Sequence, residues 1–171
     1  MADLVTHLCT ALLPGAFLRG RALGAVVLGT ALPDLISRVP PLGLELVERL
    51  GVARVPDVVL LPWGIFHEPV ALVPACALLA LAFVRRDRLL AFAGLLGGCA
   101  LHLGLDVLQD HHGHGYFLLA PCSLERYELG LIGSEATVSI ALPLAFATFV
   151  TWSTVARRRQ QRIFDGGDEG R

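Results

Sequence analysis

Five long runs of apolar residues, separated by short polar or proline-containing segments, dominate the pattern along the chain. The runs cover residues 4–18, 22–36, 69–84, 89–109 and 131–152. An α-helix needs about 20 apolar residues to cross the roughly 30 Å hydrocarbon core of a bilayer. The last two runs meet that length, whereas the first three, at about 15–16 residues, would need a locally thinned bilayer. The pattern therefore predicts four to five membrane helices.

The segment between the second and third runs, residues 37–66, has a different pattern. Its stretch LGLELVERL, residues 42–50, places apolar residues at helical spacing and charged residues on the opposite face. This pattern is typical of an amphipathic helix that lies in a membrane interface. Four prolines interrupt the region, and they are Pro40, Pro41, Pro56 and Pro62. Because proline removes a backbone donor inside a helix, the sequence predicts a separate interfacial helix rather than one long helix.

Composition favours a membrane protein over an ordinary soluble domain. Apolar residues make up 54% of the 171-residue chain, and its mean hydropathy is +0.64. Soluble domains contain about 45–50% apolar residues even with glycine counted among them. The predicted fold class is therefore an all-α integral membrane bundle, with residues 1–153 as the embedded domain. Residues 154–171 are polar and rich in glycine, which predicts a disordered tail.

Positive charge is unevenly distributed, and its distribution predicts an orientation. All 14 basic residues are Arg, with two in residues 19–21, three in 85–88 and five in 157–171. Loops rich in basic residues remain on the cytoplasmic side of a membrane. The three clusters are therefore predicted to be cytoplasmic, and residues 37–66 and 110–130 to lie outside. Clusters that flank apolar runs in this way give no support to nucleic-acid binding.

Ionisable residues within the apolar runs all lie at one predicted level. His7 and Asp34 are at the outer ends of the first two helices, and His67 is at the outer start of the third. His102 and Asp106 lie in the outer half of the fourth helix. An ionisable side chain at membrane depth costs about 2.5–3.5 kcal/mol or more, so it usually faces a protein interior and has a function. The sequence therefore predicts that four helices contribute to one site.

His102 and Asp106 are four residues apart, so they share one helix face and could bind one metal ion together. Imidazole and carboxylate ligands suit zinc, manganese or iron, and three or four of them around an open position are typical of a catalytic site. The same pair also fits a simple hydrogen bond between two buried side chains. The shared depth of His7, Asp34 and His67 favours a divalent metal site, with zinc as the expected ion.

Two glutamates are candidate acid/base groups, because a carboxyl beside a metal site can move a proton. Glu68 directly follows His67, and Glu135 lies at the entrance to the last apolar run. The turn HHGHG, residues 111–115, could also capture metal, but a polar glycine-rich turn is the commoner meaning of such a sequence.

Two small-residue patterns predict close packing of helices. Gly94 and Gly98 form a G-x-x-x-G pattern in the fourth run, and Gly20 and Gly24 form another at the start of the second. Glycines at this spacing let two helix backbones approach each other. We therefore expect both pairs to lie at helix contacts.

Several short motifs together resemble the YdjM-like family of membrane-bound, metal-dependent hydrolases. They are THLCTALLPG, LPDL, FHEP and HLGLDVLQDHHGHGYFLLAPCSLERYELGLI, in that order within residues 1–150. The family is also described as LexA-binding, inner-membrane-associated hydrolases. The resemblance implies a helical protein of the bacterial inner membrane with a divalent-metal site, related more distantly to the zinc-dependent phospholipase C fold.

Carried over residue by residue, the resemblance points to five metal-site residues, which are His7, Asp34, His67, His102 and Asp106. Two positions depart from the family pattern. Ile36 stands where the family often has a second acid, and Pro62 where it often has a histidine five residues before His67. The resemblance therefore gives no support to a second metal ion.

The combined prediction is a hydrolase in which the ion activates water and polarises an ester or phosphoester. Its expected ligands are His7, His67, His102 and Asp106. Asp34 is expected to be a further ligand or a carboxylate that holds the water, and Glu68 or Glu135 the acid/base. An amphipathic segment above a site at the membrane surface favours an amphiphilic or lipid-linked substrate.

Two alternatives to a hydrolase remain open from the sequence. A non-catalytic membrane protein could use the same cluster to bind metal for stability or to hold a regulator protein, and a closed set of four ligands would favour it. A proton or metal carrier would also need acidic residues in the cytoplasmic halves of the helices, where the sequence has none.

Overall fold

The computed structural model describes residues 4–18, 20–110, 115–133 and 136–166, and these residues are mostly helical. Their α-helices are α1 (Leu4–Gly15), α2 (Gly20–Arg49), α3 (Asp57–Leu60), α4 (Pro69–Ala80), α5 (Arg88–Leu108) and α6 (Ala136–Gly166). Two 3-10 segments, Leu61–His67 and Arg85–Asp87, precede α4 and α5. The prediction of an all-α fold is confirmed.

Among the described residues, three helical stretches are long and apolar enough to cross a membrane, and they are Gly20–Arg49, Arg85–Leu108 and Ser139–Arg159. The two shorter apolar helices, α1 and α4, have 12 residues each. A 12-residue helix is about 18 Å long, which is well short of the roughly 30 Å hydrocarbon core. Length therefore does not show that α1 and α4 cross the bilayer. A bundle of four to five membrane-crossing helices stays a prediction.

Helices α2 and α5 run in the same direction and form the centre of the fold. Arg21 pairs with Asp87 at one end of this helix pair. Farther along, the Thr30 hydroxyl lies 3.2 Å from the Gly98 carbonyl oxygen and donates a hydrogen bond to it. The buried core between α2, α4 and α5 consists of Ala25, Leu32, Leu72, Cys76, Leu95, Cys99 and Leu103.

The close approach of α2 and α5 depends on glycine at the crossing. A Cβ atom at Gly98 would lie 2.2 Å from the Val26 carbonyl oxygen, and one at Gly29 would lie 2.1 Å from the Leu95 carbonyl oxygen. Real Cβ contacts are never this short, so any larger residue would push the helices apart. Gly94, where a Cβ atom would meet the neighbouring helix at 2.7 Å, adds to this crossing.

The glycine-pattern predictions have different outcomes. The expected contact role of Gly94 and Gly98 is confirmed by their approach to α2. The role expected for Gly20 and Gly24 is wrong, because a Cβ atom at either position would meet nothing within 4 Å. Helix α2 instead approaches α5 through Ala25, opposite Gly94, and through Gly29, opposite Leu95.

Helix α6 packs alongside α1 and runs parallel to it. The Trp152 indole N–H donates to the Leu12 carbonyl oxygen at 2.8 Å, and the Arg159 guanidinium donates to the Ala16 carbonyl oxygen at 2.8 Å. Since Ala16 directly precedes the turn into α2, Arg159 lies near the end of the fold that carries the Arg21 ion pair. The structure thus gathers the described arginine clusters at one end.

The region between α2 and α4 differs from the prediction. Helix α2 continues through Pro33, Pro40 and Pro41 to Arg49, so residues 42–49 extend that helix instead of forming a separate interfacial one. A proline removes a single backbone donor, and hydrogen-bonded turns on both sides preserve the helix. The amphipathic character remains, because apolar side chains of this half of α2, including Val39, Leu42 and Leu46, are exposed.

The polar tail also differs from the prediction. Helix α6 runs on to Gly166, so residues 154–166 are helical where the composition predicts disorder. Arginine and glutamine are good helix formers, and adding residues to an existing helix avoids the cost of nucleating a new one. Residues 167–171 lie outside the described residues.

Residues 115–133, which we call the cap segment, fold back over the end of α5. Tyr116 and Tyr127 exchange two backbone hydrogen bonds, of 3.0 and 2.9 Å. The Leu129 N–H donates to the Val107 carbonyl oxygen at 2.8 Å. A two-residue parallel pairing of β1 (Gln109–Asp110) with β2 (Ile132–Gly133) closes the segment. The predicted outer loop is therefore tied by backbone bonds to the end of α5.

Candidate metal centre

Five polar residues, each at most 9% exposed as a whole, meet where α1, α2, α5 and the 3-10 segment before α4 come together. They are His7, Asp34, His67, His102 and Asp106. The ligand atoms form two triads in which all atoms lie within 4.8 Å of one another. Because both triads contain His102, they describe one cluster, and the convergence expected from the sequence is present.

Asp106 lies at the centre of this cluster. Its Oδ1 atom is 3.3 Å from Nε2 of His7, and its Oδ2 atom is 3.2 Å from Nε2 of His102. The Nε2 atom of His67 is 3.5 Å from Asp106 Oδ2 and 3.5 Å from Asp34 Oδ1. Three imidazole nitrogens and two carboxylates thus face one small volume.

A backbone carbonyl orients the central imidazole. Nδ1 of His102 lies 2.8 Å from the Thr30 carbonyl oxygen. A carbonyl can only accept, so Nδ1 of His102 donates this hydrogen bond and Nε2 is the ring nitrogen that faces the cluster. Histidines that bind metals usually have their second nitrogen held in this way. The close crossing of α2 and α5 therefore also sets the direction of His102.

The other two imidazoles are positioned by neighbouring side chains. Nδ1 of His67 lies 2.8 Å from the Ser37 hydroxyl, one helical turn beyond Asp34. The ring of His7 stacks on that of His102, with centroids 3.8 Å apart and planes 14° from parallel. Both arrangements direct Nε2 toward Asp106.

The donor set and its unsatisfied atoms fit a cation. Nε2 of His67 and Nε2 of His102 are 3.2 Å apart, so both atoms face the same small volume. The buried Asp106 Oδ2 atom has no well-aligned hydrogen bond among the described residues, despite the nitrogens around it. Buried polar atoms without partners are costly, and an ion bound by them removes that cost. Histidine and aspartate in this number could hold a divalent metal ion.

Asp34 is shared between the cluster and an arginine. The Arg38 Nε atom lies 2.7 Å from Asp34 Oδ1, one turn along α2. This ion pair offsets the carboxylate charge from the half-exposed side of the cluster. The carboxylate of Asp34 is therefore shared between the central volume and Arg38, whereas that of Asp106 faces three histidines.

Tyr116 is a neighbour of the cluster that sequence reasoning missed. Its buried ring stacks on His67, with centroids 6.0 Å apart. Burial raises the pKa of its phenol, and the nearby Asp106 carboxylate raises it further. A Cβ atom at the adjacent Gly115 would lie 2.6 Å from the Tyr127 carbonyl oxygen, so glycine permits the chain crossing that brings Tyr116 here.

No family model, curated protein or solved structure matches this chain. The resemblance to YdjM-like hydrolases therefore rests on the short motifs and remains a prediction. The geometry of the cluster stands independently of it.

Of the two candidate acid/base residues, Glu68 is among the described residues and Glu135 is not. Glu68 immediately follows His67, and burial raises the pKa of its carboxyl, while a hydrogen bond from the Phe117 backbone lowers it. Its Oε2 atom is buried without a hydrogen-bond partner among the described residues. Glu135 lies outside the described residues, as do His111, His112 and His114.

A pocket of about 510 Å³ opens directly beside the cluster. The start of α4 and the preceding 3-10 segment form one wall, and the cap segment forms the other. His67 and Tyr116 belong to both the pocket and the cluster surroundings. A ligand in this pocket would therefore contact His67, the cluster residue that lines it.

Proposed function

We propose that the protein is a membrane-bound, metal-dependent hydrolase that cleaves an ester or phosphoester. The observation that carries this proposal is the position of a buried cluster of three histidines and two aspartates beside an open pocket. The motifs that resemble YdjM-like hydrolases support the same function.

Four residues would hold the ion, and they are His7, His67, His102 and Asp106. A bound divalent ion, with zinc as the expected one, supplies Lewis-acid chemistry by lowering the pKa of water toward about 7 and polarising the scissile group. The protein's own part is orientation. Thr30 and Ser37 hold two imidazoles through Nδ1, so that Nε2 faces the cluster.

Asp34 and Glu68 have separate roles in this proposal. Asp34 lies at the edge of the cluster, where its carboxylate accepts a proton from the attacking water and Arg38 balances its charge. Glu68 lines the pocket next to His67, where its carboxyl donates a proton to the leaving oxygen. Each role requires a carboxyl within reach of the bond that breaks, which is the first requirement for general acid/base catalysis.

The proposed setting is the bacterial inner membrane, with several helices spanning it. Arg88 and Asp106 are 18 residues apart on α5, a rise of about 27 Å. If the arginine-rich end is cytoplasmic, the cluster lies close to the opposite surface of a roughly 30 Å hydrocarbon core. The site would then take a lipid-linked or amphiphilic substrate from the extracytoplasmic leaflet. Reporter fusions after residue 171 and within residues 110–130 test this orientation, which a periplasmic signal from residue 171 would overturn.

Metal analysis and reconstitution test the hydrolase itself. Detergent-purified protein should contain a divalent metal, lose turnover of an activated phosphoester or carboxyl ester when stripped, and regain it when metal is restored. The His102→Ala variant should show neither metal nor turnover, whereas Glu125→Gln, at an exposed position of the cap segment, should behave like the native protein. Metal-restored native protein that hydrolyses none of a broad ester panel would refute the proposal.

Near-complete burial favours a second candidate function. His7, His102 and Asp106 are at most 2% exposed, and a closed ligand set is typical of a structural metal site. A non-catalytic protein would use the ion to hold the helices together and to present a surface to a regulator protein. Such a protein would lose thermal stability on metal removal and show no turnover in any state.

A further inference from the structure

The pocket beside the cluster carries a cation that the hydrolase proposal does not use. We propose that this pocket binds an amphiphile with an anionic, phosphate-type head and an apolar tail, and that Arg126 recognises the head. The proposal rests on the proposed function in one respect, since the amphiphile is the substrate of the metal centre. Binding itself requires only the pocket.

Arg126 is held in position by an aromatic ring. Its guanidinium carbon lies 4.7 Å from the centroid of the Phe117 ring. Stacking on a ring uses the face of the guanidinium and leaves its planar N–H edges available for hydrogen bonds. Those edges form a fork that matches two oxygens of a phosphate. Arg126 and His67 line the same pocket, so a head at Arg126 would lie within the cavity that reaches the cluster.

Most of the remaining lining is apolar, which suits a hydrocarbon tail. Ile65, Val70 and Leu124 contribute to the wall, and all three have exposed side chains. Leu119 and Leu129, elsewhere in the cap segment, are also exposed. Apolar side chains concentrated around an opening mark a surface that binds a ligand or a membrane. A tail could therefore enter the pocket from the lipid.

One acidic residue in the pocket would repel an anionic head, and the test must therefore compare heads of different charge. Glu68 lines the pocket with Arg126. A pocket controlled by this carboxyl would prefer a neutral or cationic head. The proposal therefore predicts a clear preference among ligands that share one tail and differ only in head charge.

The experiment measures binding to detergent-purified, metal-stripped full-length protein by calorimetry. The probes are decyl phosphate, decanol, decyltrimethylammonium and inorganic phosphate. Decyl phosphate should bind most tightly. Arg126→Gln should weaken it by about tenfold or more, as expected for losing a charge-assisted hydrogen-bonded pair, and leave decanol unchanged. Arg126→Lys should restore part of the loss.

The matched control is Arg54→Gln, which removes an exposed arginine outside the pocket and should leave all four affinities unchanged. Decyl phosphate that binds no better than decanol, or equal losses in Arg126→Gln and Arg54→Gln, would overturn the proposal. If inorganic phosphate binds as tightly as decyl phosphate, the apolar tail contributes nothing to binding and the proposal of an amphiphilic ligand is overturned. Because the protein is stripped, these outcomes do not depend on turnover. Binding without hydrolysis after metal is restored would refute the proposed hydrolase function, while the proposed role of the pocket in binding would still hold.

Discussion

The cluster of histidines and aspartates and the pocket beside it share His67, yet they are held in different ways. The cluster is buried, and its members lie on helices whose backbones cross closely at Gly29 and Gly98. The pocket has one wall in the cap segment, where Leu124 is 75% exposed. One region is fixed by helix packing, and the other by a short segment attached to the end of α5.

This difference sets how each region should respond to substitution. Close-packed interiors have few alternative arrangements, so a change at the helix crossing should affect folding and every cluster residue at once. Exposed pocket residues have no such coupling, so changes there should alter ligand binding in graded steps. Substitutions that separate the two kinds of response test the comparison directly.

Replacing Gly98 with leucine should have the largest effect, because it opens the crossing beneath the cluster. A side chain there would meet the Val26 carbonyl oxygen and the Thr30 backbone nitrogen at 2.2 and 2.5 Å. Overpacking of this kind costs about 1–3 kcal/mol or more, and here backbone stands in the way. We expect a large fall in the thermal unfolding midpoint in detergent, together with loss of bound metal.

Gly97→Leu is the matched control for that change. It lies one residue earlier on the same helix, and a Cβ atom there meets nothing within 4 Å. Its unfolding midpoint should stay close to that of the native protein. Equal destabilisation by both variants would mean that leucine is poorly tolerated along α5 generally and that the crossing has no special role.

Asp106→Asn should have the next largest effect, because Asp106 faces three histidines. The amide keeps the shape of the side chain but removes the charge that a cation requires. We expect bound metal, measured by elemental analysis, to fall to the level of stripped protein while the helical content stays. His112→Ala, in the turn outside the described residues, should change the metal content little, and an equal loss in that variant would move the site into the turn.

The sequence predicted the convergence of these five residues because four of them are ionisable residues within apolar runs and His67 stands just before one. Such residues stand out without any knowledge of tertiary contacts, and helical periodicity sets their depth. Tyr116 and Arg126 carry no comparable signal. Tyr116 reaches His67 only because the cap segment folds back through its pairing with Tyr127, and nothing in the local pattern fixes that pairing. The contact at Gly29 was missed for the same reason, since it depends on where two helices cross.

Helix boundaries show the same division between local and tertiary information. The apolar runs predicted where helices form, because burial in a protein core or in a bilayer stabilises a helix made from a continuous apolar stretch. The prolines at 40 and 41 predicted an end that α2 does not have. A proline carries a local cost, and turns on either side outweigh it, so a local rule alone cannot set the length of this helix.

Asp34→Asn should separate chemistry from metal binding. Asp34 lies at the edge of the cluster and is shared with Arg38, so the four proposed ligands should retain the ion without it. A residue that takes a proton from the attacking water contributes about 10²–10⁴-fold to the rate. We expect kcat to fall by at least about 100-fold with metal content nearly unchanged. Full activity in this variant would show that Asp34 has been given the wrong role, and loss of metal would make it a ligand.

Ser37→Ala should have the smallest effect and is the most direct test of how the cluster is oriented. The Ser37 hydroxyl lies 2.8 Å from Nδ1 of His67 and fixes which nitrogen faces the cluster. Loss of such a partner typically weakens metal binding by about 10–100-fold. Because a water could replace the hydroxyl on this partly buried side, we expect the lower end, about tenfold, measured by competition with a chelator.

Thr151→Ala is the control for the serine variant, since the Thr151 hydroxyl donates to the Ala147 carbonyl oxygen of its own helix and has no other hydrogen bond among the described residues. It should leave the metal affinity unchanged. An unchanged affinity in Ser37→Ala as well would mean that packing against Tyr116 and His102 alone orients the His67 ring. The cap segment, which supplies Tyr116, would then help to hold the cluster. Helix packing would no longer fix the cluster by itself, and the contrast with the pocket would fail.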